Sequence, residues 1–136
     1  MTVSITEFIT ARLGEDEQQA LSASPGPWHL NAEHDEVIAI DGIEVCTAHA
    51  LSNNQLRNTA RHIARHDPAR VLREVAAKRK IVEAASITLD IYSGGSTFID
   101  FVIETLRRLA VAWEDHPDYD QAWRPFGEAY REEWRT

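Results

Sequence analysis

The sequence predicts an α+β fold: an N-terminal helix, a small antiparallel β-hairpin or three-stranded sheet, then a bundle of three to four helices. Three observations lead there. Apolar residues recur every three or four positions at the start of the chain and again through its second half, the period of amphipathic helices. Between these stretches the period drops to two around an Asp-Gly pair, a strong hairpin signal. Capping boxes and an Asp-Pro step mark where helices begin. A chain of 136 residues has the size of one domain. We read 1–136 as a single domain, with a helix over 5–22, a small sheet over 28–48 and a helical part over 52–134.

Ser4-Ile5-Thr6-Glu7 is a capping box, after which Ile5, Phe8, Ile9, Leu13 and Ala20 share one face of the first helix. The stretch SASPGPW stops it, because proline and glycine do not continue a helix. In EVIAIDGIEVCTA, a two-residue turn at Asp41-Gly42 pairs Ile40 with Ile43 and Ile38 with Val45. All four would then point to one face, and Ala39, Asp41 and Glu44 would not. Trp28-His29-Leu30 offers a third strand, since a lone hairpin is marginal.

Ser52-Asn53-Asn54-Gln55 is a second capping box, opening a helix to about His66 with Leu56, Ala60, Ile63 and Ala64 as its apolar stripe. Asp67 caps a third helix whose first position is Pro68, where a missing N–H costs little. It turns Val71, Leu72, Val75, Val82 and Leu89 inward and ends near YSGGST, where Gly94 or Gly95 can take a left-handed cap. A fourth helix over about 97–114 is expected to bury Phe98, Ile99, Phe101, Val102, Ile103, Leu106, Leu109, Ala110 and Trp113. Beyond it Tyr119, Trp123, Phe126, Tyr130 and Trp134 recur every three or four residues, and Pro125 splits this stretch into two short helices.

Charge is unevenly spread along a chain of net −8. Residues 1–60 carry two basic and nine acidic side chains, residues 61–82 seven and two, and residues 83–136 five and eleven. The overall sign argues against general nucleic-acid binding. The acidic flanks are expected to neutralise the basic segment, within the chain or across a dimer. The other reading is an anion-, nucleotide- or nucleic-acid-binding patch made by Arg61, Arg65, Arg70, Arg73, Lys78 and Lys80. No apolar run approaches the ~20 residues of a membrane span. The N-terminus lacks the basic start and apolar core of a signal peptide, and the single Cys46 excludes an internal disulfide. These features point to the cytoplasm.

His62 and His66 stand four apart, a spacing that can place two imidazoles on one metal, but two ligands do not make a site. A zincin needs Glu after the first His, and Ile63 stands there. His34, His49 and Asp67 are not tied to the pair by any spacing. We read the two as partly buried structural histidines, with no metal and no cofactor, and a metal-dependent hydrolase ranks third among the functional readings. Cys46 falls on a strand, no Gly-x-Ser-x-Gly elbow occurs, and SGGST lacks the lysine of a phosphate loop. No catalytic residue emerges, and the reading is non-enzymatic. The C-terminal aromatics Tyr119, Trp123, Phe126, Tyr130 and Trp134 stand among acidic residues that would repel phosphate, and read as core or as a protein interface.

HIARHDPARVLREVAAKRKIV followed by HPDYDQAWRP resembles a family of small uncharacterised proteins of actinobacteria and their phages, known only as a domain of unknown function. The resemblance runs from about Phe8 to Pro125 and takes in ITARLGEDE, while SGGST and FGEAYREEWRT depart from the pattern. The layout of SPGPW, a hairpin and ARHIARHDPARVL is also similar to many small phage accessory proteins. The resemblance implies a cytoplasmic accessory protein of phage derivation and carries over no catalytic residue. The function expected is a non-enzymatic protein-interaction module, a homodimer with a further protein partner still unidentified and no membrane association.

Overall fold

Four side chains start the four helices. Ser4 Oγ accepts the Glu7 N–H at 3.2 Å, Ser52 Oγ that of Gln55 at 3.1 Å, Asp67 Oδ1 that of Arg70 at 2.8 Å, and Ser96 Oγ that of Ile99 at 3.2 Å. Each satisfies an N–H that the first turn leaves without a helical partner. The computed structural model describes residues 3–92 and 95–125. Its elements are α1 (Ile5–Ser22), β1 (His29–Leu30), β2 (Glu36–Ile38), β3 (Glu44–Thr47), α2 (Asn53–Arg65), α3 (Pro68–Ile91) and α4 (Thr97–Ala110), followed by short 3-10 turns at Val111–Trp113 and Gln121–Trp123. Among the described residues no helix is long and apolar enough to cross a membrane. The chain gathers into two units, one of Gly14–Ala77 and one of Met1–Leu13 with Lys78–Thr136.

In the 14–77 unit the strands form an antiparallel sheet in the order β1-β2-β3. Trp28-His29-Leu30 does supply the third strand, with His29 opposite Ile38 and Leu30 opposite Val37. Val37, Ala48 and Ala60 are the buried centre of a cluster that α2 closes with Leu56, Ile63 and Ala64. Small residues at the centre let the helix approach the sheet closely.

The hairpin corrects the expected turn and faces. Gly42 N–H donates to the Ala39 carbonyl at 2.9 Å and Ala39 N–H to the Ile43 carbonyl at 3.0 Å, with Gly42 at φ +84°. The loop is therefore three residues, a turn followed by a left-handed glycine, not two. One extra residue on β3 then restores the expected alignment, so that Glu36 faces Thr47 and Val37 faces Cys46. Val37 and Ala39 take the buried face, and Ile40 and Ile43 stand 60% and 65% exposed at the tip.

In the other unit Phe8, Ile9, Leu13 and Leu106 are almost wholly buried, and Ile99, Val102 and Ala110 continue the buried stripe of α4. The Phe8 ring meets His116 at 5.6 Å, Tyr119 at 6.0 Å and Trp123 at 5.1 Å between centroids. The Arg12 guanidinium lies 5.2 Å from the Phe8 ring centre and donates to His116 Nδ1 at 2.9 Å. The buried stripe of α4 is narrower than expected. Phe98 and Phe101 are exposed, because at about 100° per residue Phe98 lies roughly a quarter turn from the Ile99–Val102–Leu106 line and Phe101 more than a third of a turn. The regular α-helix stops at Ala110, with Val111–Trp113 as a 3-10 continuation. Gly94, Phe126, Tyr130 and Trp134 lie outside the described residues, as does the second of the two short C-terminal helices expected after Pro125.

The hairpin also gathers like charges. Glu44 on the neighbouring strand, then partial burial, then Asp35 and Glu33 hold the Glu36 carboxyl above the usual carboxylate range. A carboxyl raised in the folded state costs stability above the ordinary carboxylate pH, and the cost is withdrawn as pH falls through the raised value. Glu36→Gln is expected to raise the melting temperature at about pH 7 in low salt, by a margin that shrinks in about 1 M salt and on acidification. Thermal unfolding across pH and salt checks this, and an unchanged midpoint at neutral pH would show that water already screens the repulsion.

Candidate functional site

Helix α2 ends and α3 begins within three residues, and Asp67 in that corner is only 5% exposed. A buried carboxylate needs hydrogen-bond donors. Oδ1 takes the Arg70 N–H at 2.8 Å and Oδ2 takes the Trp28 N–H at 2.8 Å. The cap anticipated from the Asp-Pro step is thus half of its role. The other half ties the chain entering β1 to the start of α3.

The segment SPGPW is shaped for that contact. A Cβ on Gly26 would stand 2.9 Å from the Ala69 nitrogen and 3.2 Å from Asp67 Oδ2, closer than side-chain carbons approach backbone. Pro25 accepts the Ile40 N–H at 3.2 Å, and the Trp28 indole N–H donates to the Ser24 carbonyl at 2.9 Å. Trp28 was visible in the sequence only as a strand residue. The glycine held between two prolines was the available sign of a close backbone approach.

Two shallow cavities adjoin the corner and share His66. One, of about 430 Å³, has Trp28, Ala20, Ala23, Pro68 and Val71 as its apolar wall and Asp16, Gln19 and Glu74 as its polar edge. The other, of about 350 Å³, is lined by Asn58, Arg61, His62, Arg65 and His66 along the outer face of α2. The reading of His62 and His66 as partly buried is overturned, for both are exposed. The sheet takes the Leu56–Ala60–Ile63 face of α2, which turns both imidazoles to water. Their ring centres are 4.4 Å apart, and His66 Nδ1 donates to the His62 carbonyl at 2.8 Å. Among the described residues no three His, Cys, Asp or Glu side chains gather as a metal site, and Cys46 is a half-buried free thiol on β3.

The basic candidates divide. Arg61 and Arg65 share the α2 cavity, and among the described residues neither has a carboxylate within ion-pair distance, Arg61 instead reaching Asn58 Oδ1 at 3.2 Å. Arg70 pairs with Glu74 at 2.9 Å and Lys80 with Glu83 at 3.4 Å. Arg73 is exposed and Lys78 half-buried. Lys78 and Lys80 fall in the other unit. Of the aromatic interface candidates, Tyr119 is buried and Trp123 half-buried against Phe8, so these two rings serve the chain's own core.

The model of a family of unknown function, DUF6221, matches residues 2–125. The chain belongs to this family. No curated protein and no solved structure matches it. The DUF6221 match takes in SPGPW, the hairpin, the Asp67 corner and HPDYDQAW, and ends before Phe126. Membership assigns no activity to any of them.

Removing the shared carboxylate strips two buried N–H groups of their acceptor. Asp67→Ala is expected to cost about 2–4 kcal/mol, the lost cap and the stranded Trp28 amide together. Asp67→Asn should fall between, since an amide offers one acceptor atom where two are used. Gly26→Ala should cost about 1–3 kcal/mol by forcing backbone apart. Urea unfolding measures all three, and an unaltered midpoint for Asp67→Ala would mean the corner is held elsewhere.

Proposed function

We propose that the protein is a non-enzymatic, cytoplasmic accessory module that works by protein–protein association, first with a second copy of itself. One observation carries this reading. The second half of α3 and the first turns of α4 expose Ile81, Ile87, Ile91, Tyr92, Phe98 and Phe101, the last 70% exposed. Ile81, Ala84, Ala85, Phe101 and Val102 line a shallow apolar depression of about 170 Å³ there. An exposed apolar depression of this kind fits an association site.

The occupant we infer is the C-terminal stretch of a second copy. Phe126, Tyr130 and Trp134 are spaced four apart, with Glu128, Glu132 and Glu133 among them. Lys78, Arg79 and Lys80 immediately precede Ile81 and complement that acidic stretch. Aromatic anchors dominate interface energetics, and a two-fold dimer is the commonest way to bury such a patch twice. The single free cysteine supports the cytoplasmic assignment. The resemblance of the two long motifs to actinobacterial and phage proteins supports a phage derivation, which the genomic context of the coding sequence tests.

Full-length protein is expected to scatter light as a dimer at tens of micromolar. Truncation after Pro125 and, separately, Phe101→Glu should each weaken dimerisation by more than about tenfold while leaving the chain folded. A full-length chain that stays monomeric at high micromolar concentration overturns the proposal.

A further inference from the structure

Two shallow cavities of unlike character meet at His66, and together they describe a ligand. The α2 side is cationic. Arg61 and Arg65 are exposed, one turn apart, and have no carboxylate partner among the described residues. His62 and His66 stand beside them with ring centres 4.4 Å apart. His66 commits Nδ1 to the His62 carbonyl at 2.8 Å and lines the same cavity as the two arginines. The last carbonyls of α2 oppose an anion with about half a unit of charge, and two guanidinium charges outweigh them.

The Trp28 side is different. Its wall is an indole with Ala20, Ala23, Pro68 and Val71, a surface for a flat apolar body. Asp16, Gln19 and Glu74, the last paired with Arg70 at 2.9 Å, edge it, and no lysine or arginine is among its lining residues. Charge therefore sets one direction: the anionic end toward Arg61 and Arg65, the flat end toward Trp28. We propose that this corner binds a nucleoside monophosphate, its phosphate on Arg61 and Arg65 and its base against Trp28. The inference is independent of the dimer contact, which lies on residues of the other unit.

Amide and indole NMR spectra of the full chain, titrated with adenosine monophosphate, adenosine or inorganic phosphate, test it. The monophosphate is expected to shift the Trp28 indole signal together with amides over 61–66, and to bind at least about tenfold more tightly than either fragment, since joining two sites raises their effective concentration. Arg61→Ala with Arg65→Ala should abolish that gain and leave the adenosine response at Trp28 in place. Val71→Trp, which fills the aromatic side, should do the reverse. The Phe101→Glu chain should bind as the parent does. A monophosphate that binds no better than phosphate, or that leaves Trp28 unmoved, overturns the proposal. So does binding confined to single-stranded oligonucleotides.

Discussion

The carboxylate of Asp67 is the point on which the 14–77 unit turns. It is buried, and each of its oxygens answers a different backbone N–H, that of Arg70 in the first turn of α3 and that of Trp28 at the entry to β1. The carboxylate gives each segment an oxygen of its own, so neither N–H shares its acceptor with the other. The consequence propagates along the chain. Trp28 held against the corner brings Gly26 onto the Ala69 backbone, where no side chain fits, and brings Pro25 into reach of Ile40. One carboxyl group thereby couples the start of a helix to a proline-flanked glycine and a sheet whose entry lies 39 residues earlier in the chain.

The other unit closes by aromatic packing instead. Phe8 on α1 gathers His116, Tyr119 and Trp123, while Arg12 sits over the same ring and holds His116. Edge-to-face and tilted contacts of this kind add to the burial of large rings. They also redistribute the apolar surface. With Tyr119 and Trp123 turned inward, the exposed aromatics among the described residues are Tyr92 and Phe98, edge to face at 5.8 Å, and Phe101 on the outer side of α4.

Local chemistry was legible in the sequence, and choice of face was not. Hydroxyl and carboxylate caps depend on one side chain and the three residues after it, so α1 begins and ends where its capping box and SASPGPW indicate. Asp67 was recognisable as a cap, yet its second partner lies 39 residues earlier and leaves no local trace. The hairpin was located by its Asp-Gly pair, but a type with one more residue in the loop serves the same dipeptide, and only the packing of α2 against small residues decides that Val37 and Ala39 face inward. Phe98 and Phe101 failed for the same reason: an apolar periodicity broad enough to cover half a helix does not say which edge a neighbour covers. His62 and His66 lay on such an edge, and the sheet took the other side.

The charge map shows where neutralisation by neighbours stops. On α3, Arg70 has Glu74 one turn on, and Lys80 has Glu83, so the helix answers its own charge. Helix α2 has no acidic residue from Asn53 to Arg65, while Arg57, Arg61 and Arg65 stand four apart along it. Like charges at that spacing destabilise a helix by about 0.2–0.5 kcal/mol per pair. The negative end of the helix offsets part of this for Arg65, which lies in the last turn, and little of it for Arg57. The fold therefore carries a row of cations whose repulsion is relieved neither by the rest of α2 nor by an ion pair with any described residue at Arg61 and Arg65. An anion arriving from solvent would relieve it, so binding there and helix stability would rise together.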